Sequence, residues 1–235
     1  EIPSPSGMED NIREHLTNHL SKKGIQHKTD RKGNIYSLSN PGAPLLSAHM
    51  DTKPFLTEKG NMYPITISDG KISGTDIIGG DDKCGIYLIL EMLKHRPQDI
   101  NFLISVEEED SRKGVKAFMK DHGDEVAQLP YALVLDRHGS RDILCTQNRY
   151  GVLAFESRLA QIGKQFGYSP ARGLLSDADI LCYQISCANL SVGYYNAHDT
   201  DEYIILDDLK NAYFYVNEIL DHIHQRFPAA RTYRP

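Results

Sequence analysis

The sequence is short of three features that would place it in other classes of protein: cysteine, excess positive charge and long apolar runs. Its 235 residues include 26 lysines and arginines against 32 aspartates and glutamates, and the net charge of −6 gives no electrostatic footprint for nucleic acid. No apolar run approaches the roughly 20 residues that a membrane span requires. The first residues also lack the basic and apolar regions of a signal peptide. We therefore expect neither nucleic acid nor a membrane as a partner.

The few cysteines are too scattered along the chain for a disulfide framework. They are Cys84, Cys145, Cys182 and Cys187. We expect reduced thiols and a cytoplasmic protein, because disulfides belong to oxidising compartments. Hydrophobic residues make up 40% and charged residues 25% of the chain, which is ordinary for a globular protein and excludes disorder as the main state.

Helices and strands alternate along the sequence, without an internal repeat or a low-complexity linker. Helical periodicity predicts helices over 8–23, 82–95, 114–120, 151–166, 177–185 and 208–227. Continuous apolar runs predict strands over 45–48, 102–106, 131–135, 143–146 and 188–192, and turn residues predict hairpins over 25–38 and 65–72. This order predicts an α/β protein, a three-layer α/β/α sandwich with a mixed, mainly parallel central sheet.

Acidic residues and histidines follow the predicted strands repeatedly, at the edge where an open parallel sheet binds its ligands. They are His49, Asp51, Asp81, Asp82, Glu108, Glu109, Asp136 and His198. Each one alone has a simpler interpretation, since an acid before a helix is usually a cap and an acidic run is usually a solvated loop. Those interpretations do not explain why imidazoles and carboxylates recur after successive buried strands.

Two histidines and three carboxylates at one sheet edge indicate a pair of divalent metal ions. Imidazole suits Zn²⁺, Co²⁺ or Mn²⁺ better than Mg²⁺. A carboxylate shared by two ions holds them roughly 3.5–4 Å apart, and water on such ions has its pKa lowered from 15.7 towards about 7. A further carboxylate is then needed to take the proton and deliver it to the leaving group.

Four segments occur in an order that resembles the co-catalytic zinc exopeptidases, especially peptidase T, glutamate carboxypeptidase and related dipeptidases. The segments are His49-Met50-Asp51, Gly74-Thr75-Asp76 through Gly79-Gly80-Asp81-Asp82-Lys83-Cys84-Gly85, Glu108-Glu109 with Gly114 five residues on, and Asn196-Ala197-His198. The resemblance covers residues 47–203, about two-thirds of the chain. It implies the fold of these enzymes and a site that holds two Zn²⁺ ions, with Co²⁺ or Mn²⁺ as alternatives.

The resemblance also implies a role for each matched residue. The implied metal ligands are His49, Asp81, Glu109, Asp136 and His198, with Asp81 bridging the two ions. Asp81 and Asp82 would be joined by a cis peptide bond. Glu108 would be the general base, and the position of Gly114 selects residues 108–109 rather than 107–108 for the glutamate pair. Asp51 would orient the imidazole of His49.

The sequence departs from peptidase T-like enzymes between Asp136 and His198. Those enzymes insert a large lid or dimerisation domain there, whereas only 61 residues (137–197) separate the two positions in this chain. We therefore expect a single catalytic domain over residues 1–235 without a lid, close in size to the single-domain aminopeptidases of the same superfamily. Because the lid often binds the substrate terminus, the sequence does not decide which terminus is read.

Five residues near the predicted site are candidate substrate contacts: Arg137, Arg149, Tyr194, Tyr195 and Asp177. An arginine can hold a substrate carboxylate, and a tyrosine can stack on a side chain or donate to an oxyanion. A surface arginine, a packed tyrosine and a helix cap at Asp177 are the simpler alternatives.

The function predicted from these residues is hydrolysis of a bond near the terminus of a short peptide. Three alternatives stay open: an amidohydrolase acting on an N-acyl amino acid, an acyltransferase of the glutaminyl cyclase type, and a non-catalytic binding module. The complete set of five ligands speaks against the last two, because the cyclases normally use one zinc ion and binding modules usually lose ligands. Side-chain preference is not predicted, and an oligomer is compatible with the sequence.

Overall fold

The computed structural model describes residues 2–54 and 65–231. Its strands are β1 (Lys28–Thr29), β2 (Ile35–Ser37), β3 (Leu45–His49), β4 (Thr66–Ser68), β5 (Lys71–Ser73), β6 (Asn101–Ser105), β7 (Ala132–Arg137), β8 (Asp142–Leu144), β9 (Ser169–Ala171), β10 (Cys187–Ser191), β11 (Tyr194–Tyr195) and β12 (Tyr203–Ile205). Its α-helices are α1 (Asp10–Lys22), α2 (Gly80–His95), α3 (Lys113–Val126), α4 (Leu153–Gly163), α5 (Ala178–Leu181) and α6 (Leu206–His222).

Eight strands form the central sheet, in the order β1-β2-β6-β3-β7-β10-β8-β9. The four central strands β6, β3, β7 and β10 run parallel to one another. Strand β2 pairs antiparallel with β6, and β8 pairs antiparallel with β10. The predicted mixed, mainly parallel sheet is confirmed.

Side chains along the central strands alternate between two apolar cores, as the two-residue period of a strand requires. In β6, Phe102 and Ile104 pack into the core covered by α1, α2, α4 and α6. Leu103 packs into the other core, which is covered by α3 and α5. Because both faces are covered, these strands are continuous apolar runs rather than alternating ones. The three-layer α/β/α architecture is therefore confirmed.

Several elements differ from the periodicity prediction at their ends. The helix predicted over 151–166 ends at Gly163 and continues as a 3₁₀ turn, and the segment 177–185 contains only the four-residue α5. Helix α6 ends at His222 because Ile223 is extended, with φ −120°, and its carbonyl accepts a hydrogen bond from the Tyr131 hydroxyl at 3.1 Å. The apolar periodicity of the sequence continues past these helix ends, whereas the α-helical conformation of the backbone stops there.

A second sheet of four antiparallel strands has the order β11-β12-β5-β4. The hairpin predicted over 65–72 supplies β4 and β5. Strand β12 joins it through pairs such as Ile204 with Ile72, and β11 pairs with β12. Neither β11 nor β12 was predicted, because each has only two or three residues and β12, with which β11 pairs, forms against the distant strand β5.

The composition predicts reduced thiols rather than disulfides. All four cysteines are buried and free. Burial raises the pKa of the Cys84 and Cys187 thiols well above the ordinary value, which marks them as packed core groups.

Among the helices in the described ranges, none is long and apolar enough to cross a bilayer.

Gly114 lies where α3 packs directly against the end of β6. A Cβ atom at this position would lie 2.0 Å from the carbonyl oxygen of Val106. Asn34 joins the same two segments: its side chain accepts the Val106 N–H at 3.0 Å and donates to the Gly114 carbonyl at 3.0 Å. The absence of a side chain at 114 therefore allows α3 to approach the segment that leads to the glutamate pair.

We expect Gly114→Ala to lower the free energy of unfolding by about 1–3 kcal/mol, because the added methyl group forces the backbone of Val106 to move. Gly123→Ala in the same helix is the matched control, since its Cβ would meet only flexible side chains, Gln184 at 3.3 Å and Met119 at 4.0 Å. The control should be neutral or gain up to about 1 kcal/mol from helix propensity. Urea unfolding measures both, and equal stability of the two variants would contradict the tight contact at Gly114.

Candidate metal centre

The five predicted ligands come from separate segments that meet at the carboxyl edge of the central sheet. His49 ends β3, and Asp136 lies near the end of β7. Glu109 follows β6, Asp81 stands at the start of α2, and His198 lies between β11 and β12. Parallel strands present their carboxyl ends at one edge, so residues far apart in sequence become neighbours there.

The ligand atoms form two groups that share Asp81. One group is His49, Asp81 and Asp136, the other is Asp81, Glu109 and His198, and within each group the atoms lie within 4.8 Å of one another. Asp81 Oδ1 lies 3.0 Å from His49 Nε2, and Asp81 Oδ2 lies 3.1 Å from His198 Nε2. One carboxylate thus turns its two oxygens to two different imidazoles, as a bridging ligand would. A cis peptide bond joins Asp81 to Asp82.

The donor atoms fit Zn²⁺, Co²⁺ or Mn²⁺, since each group combines one imidazole with two carboxylates. In the first group, His49 Nε2 lies 3.0 Å from Asp81 and 3.5 Å from Asp136. Two atoms bound at 2.0–2.1 Å to a tetrahedral ion would lie roughly 3.3 Å apart. The observed separations are therefore compatible with a common ion.

The carboxylates around the two histidines raise the pKa of both imidazoles. Burial lowers the pKa of His49, but Asp136, Asp51 and Asp81 raise it by more, so that it lies well above 6.5. Asp81 and Glu109 raise the pKa of His198 to about 10. Metal ions and protons therefore compete for the same nitrogen atoms, and binding of an ion releases protons.

The Asp51 carboxylate fixes the turn that carries the glutamate pair. Its Oδ1 accepts the N–H of Glu108 at 2.9 Å, and its Oδ2 accepts the N–H of Glu109 at 3.1 Å and the hydroxyl of Ser6 at 2.7 Å. His49 Nδ1 lies 2.9 Å from the main-chain oxygen of Asp51 and 3.4 Å from its carboxylate. Asp51 thus contacts the His49 ring, as the prediction requires, and also holds the backbone of the next ligand segment.

Glu108 lines the same cavity as the ligands and belongs to neither ligand group. Burial raises the pKa of its carboxyl to about 9, and Asp136 and Asp177 add to this rise against the opposing effect of His49. The carboxyl therefore accepts and keeps a proton more readily than an ordinary glutamate does.

Glu202 is a residue of the site that sequence reasoning missed. Its carboxylate is fully buried and accepts three backbone N–H groups: Ile78 at 2.8 Å, Gly79 at 2.8 Å and Asp81 at 3.0 Å. Glu202 follows His198 by four residues, so its hydrogen bonds join the segment that carries His198 to the segment that carries Asp81. Glu202 stands in the acidic run 199–202, which is typical of a solvated loop, so the sequence pattern favours an exposed side chain at this position.

We expect Glu202→Gln to weaken metal binding by roughly 10–100-fold, because the amide offers fewer acceptor sites to the three N–H groups that hold the Asp81 segment. Competition with a chelating dye measures the affinity, and urea unfolding reports whether the variant folds. Glu14→Gln, an exposed glutamate on α1, is the matched control and should bind metal normally. A Glu202→Gln variant with the affinity of the control would refute the positioning role.

A cavity of about 410 Å³ opens over the ligands, and two of the candidate substrate contacts line it. The guanidinium of Arg137 donates to Asp142 Oδ2 from Nε at 3.1 Å and from Nη2 at 3.0 Å. The hydroxyl of Tyr194 donates to Asp136 Oδ1 at 3.2 Å. Tyr194 thus contacts a predicted ligand, and Arg137 places a positive charge at the wall.

The other three candidates are not among the described residues that line the cavity. The Tyr195 hydroxyl donates to Asp208 at 2.6 Å, and Arg149 is an exposed residue whose carbonyl accepts from Arg231. Asp177 is buried and accepts the Ser105 hydroxyl at 2.6 Å, with no side-chain cap of α5. The structure therefore gives no support for these three as substrate contacts.

Comparison with other sequences finds similarity to a curated hydrolase. No protein-family model matches the chain. A protein of Pyrococcus furiosus with the provisional name LysW-lysine/LysW-ornithine hydrolase is 23% identical over 179 residues, which cover 74% of this chain and 50% of the relative. The chain thus spans about half the length of the curated relative that it matches.

Solved structures share the fold over nearly the whole chain. Aminopeptidase PepT from Bacillus cereus has a TM-score of 0.73 at 18% identity, and the match covers 94% of each chain. The chain has an aminopeptidase fold. The Pyrococcus horikoshii TET1 peptidase, which can assemble into a tetrahedron or a large octahedral shell, has a TM-score of 0.74 at 16% identity and covers 95% of this chain and 97% of its own. At such identities the likeness establishes the fold alone, and it confirms the fold that the resemblance implied.

Proposed function

We propose that this protein is a metal-dependent exopeptidase that hydrolyses a bond near the terminus of a short peptide, with two Zn²⁺ ions or, in their place, Co²⁺ or Mn²⁺. The observation that carries the proposal is the pair of ligand groups that share Asp81, with Glu108 on the wall of the same cavity. The fold shared with aminopeptidases supports it.

The ligand groups divide into two positions for metal. His49 and Asp136 would hold one ion, Glu109 and His198 the other, and Asp81 would contact both. When bound, two such ions supply Lewis acidity that polarises the scissile carbonyl and lowers the pKa of the attacking water. The Asp51 carboxylate keeps the Glu108–Glu109 turn at the site, so that a ligand and the proposed base stay next to each other.

Glu108 would transfer the proton. Its carboxylate takes the proton of the attacking water and gives it to the leaving nitrogen. The positive charge of two bound ions would oppose the effect of burial on its pKa, so that the carboxyl is ionised before it takes this proton. The hydrogen bond from Tyr194 to Asp136 would orient a ligand carboxylate.

We expect Glu108→Gln to keep its metal and to lose about 10²–10⁴-fold in kcat, because an amide cannot accept the proton. Glu107→Gln is the matched control, since Glu107 pairs with Lys32 and does not line the cavity in the described structure. Asp81→Ala, which removes a ligand from both groups, should instead lower the metal content. Unchanged turnover in Glu108→Gln would refute its assignment as the base.

The substrates for this test are short peptides that are free, N-acetylated or C-amidated, assayed with Zn²⁺, Co²⁺ or Mn²⁺ and with a chelator control. Cleavage that is lost on N-acetylation and survives C-amidation would make the protein an aminopeptidase. The reverse would make it a carboxypeptidase and favour Arg137 as the group that binds the substrate carboxylate. If no peptide is cleaved in a reaction that the chelator stops, the exopeptidase proposal is contradicted.

Removal of an acyl group from an N-acyl amino acid is the second candidate. The curated relative from Pyrococcus furiosus favours it, because the name of that protein describes a hydrolase of lysine or ornithine joined to LysW. The same site and the same proton transfer would serve this reaction. Cleavage of N-acyl amino acids without cleavage of free peptides would select it.

The proposal also covers the domain organisation, the cellular compartment and the oligomeric state of the protein. The 61 residues between Asp136 and His198 build β8, α4, β9, α5, β10 and β11, and we keep the single catalytic domain as a prediction. The four free, buried cysteines favour the cytoplasm as its compartment. An oligomer is a further expectation, because the TET1 peptidase assembles into one.

A further inference from the structure

Two neighbouring leucines extend into solvent at the cavity that carries the metal ligands. Leu174 is 83% exposed and Leu175 is 62% exposed. Both line the same cavity as Asp81 and His198. A single exposed leucine on a surface needs no explanation, but adjacent apolar side chains at a ligand-binding cavity mark a surface that a ligand covers.

The backbone of the loop that bears these leucines is fixed. The Asn148 side chain donates to the Gly173 carbonyl at 2.9 Å and accepts the Gly173 N–H at 3.1 Å. The Tyr150 hydroxyl donates to the Leu174 carbonyl at 3.1 Å. The loop is thus held by its main chain while its two apolar side chains project outward.

Leu144 lies against this loop and adds a third leucine to the lining of the cavity. It is 1% exposed, and it lines the cavity together with the two loop leucines. Its Cδ2 would lie 2.2 Å from a Cβ at Gly173, so the loop backbone rests directly on it. Ala197, next to the ligand His198, adds a further apolar side chain to the lining.

We propose that Leu144, Leu174 and Leu175 form an apolar subsite for the side chain of the substrate residue next to the scissile bond, an aliphatic or aromatic one. The inference rests on the proposed exopeptidase function. Ligands and leucines share one cavity of about 410 Å³, within the size range of sites for small ligands. A carbonyl held at the ligands therefore brings the adjacent side chain onto the leucines.

A charged side chain would be disfavoured at this subsite. Contact with the leucines would remove its hydration and offer no hydrogen-bond partner in return. Arg137 lines the cavity as well, but its Nε and Nη2 donate to Asp142, whose carboxylate offsets the positive charge that an acidic side chain would meet there. An apolar side chain, in contrast, removes its own surface and that of both exposed leucines from water.

The test compares tripeptides that carry Leu, Ala, Glu or Lys at the residue next to the cleaved bond. We expect kcat/KM to be at least about tenfold higher for Leu than for Ala, and lowest for Glu and Lys. Leu174→Ser and Leu175→Ser should each reduce the Leu-to-Ala ratio several-fold. Both positions are exposed, so the substitutions should not impair folding. Leu153→Ser, at an equally exposed leucine on α4 that does not line the cavity in the described structure, is the matched control and should keep the ratio.

A second readout does not depend on turnover: calorimetric binding of leucine hydroxamate and alanine hydroxamate to the zinc-loaded protein. The leucine compound should bind more tightly, and Leu174→Ser should remove the difference. If the protein cleaves no peptide but keeps this difference, the proposed function fails and the subsite stands. An unchanged Leu-to-Ala ratio in both serine variants, or equal binding of the two hydroxamates, would overturn the subsite.

Discussion

Buried carboxylates crowd the carboxyl edge of the central sheet, and the rest of the site is organised around their mutual repulsion. Burial and the neighbouring acids raise the pKa of Asp82 well above its ordinary value and that of Asp136 to about 7. The two imidazoles overcome the effect of burial on Asp81 and hold its pKa low. Lys53 lies 2.9 Å from Glu109 and adds positive charge there. Such a cluster is costly unless cations balance it, and two metal ions would supply the balance.

Much of the polar structure around the ligands acts on the backbone. Asp51 accepts two N–H groups of the glutamate turn, and Glu202 accepts three from the segment that ends at Asp81. Asn189 in β10 accepts the N–H of Asp136 at 3.2 Å and donates to its carbonyl at 3.1 Å. Each contact joins segments that are distant in sequence. The backbone of three proposed ligand segments, those of Asp81, Glu109 and Asp136, is thereby held by side chains outside the proposed ligand set.

The sequence predicted the parts of this structure that depend on local pattern. Strands β3 and β6 are buried on both faces, so their continuous apolar runs were sufficient to predict them. The order of the acidic residues and histidines along the chain indicated the site. Strand β12 forms through pairing with β5, some 130 residues away, and β11 pairs in turn with β12, so no local pattern reveals either strand. Glu202 is buried although it stands in an acidic run, and Leu174 is exposed although it is apolar. In both cases tertiary contacts, absent from a local pattern, decide the environment.

In the proposed site, the two metal positions share the Asp81 carboxylate. Anomalous diffraction at the zinc edge from crystals of the zinc-loaded protein tests it most directly. We expect two anomalous peaks about 3.5–4 Å apart, each in contact with a different oxygen of Asp81. A single peak, or two peaks of which only one contacts Asp81, would contradict it.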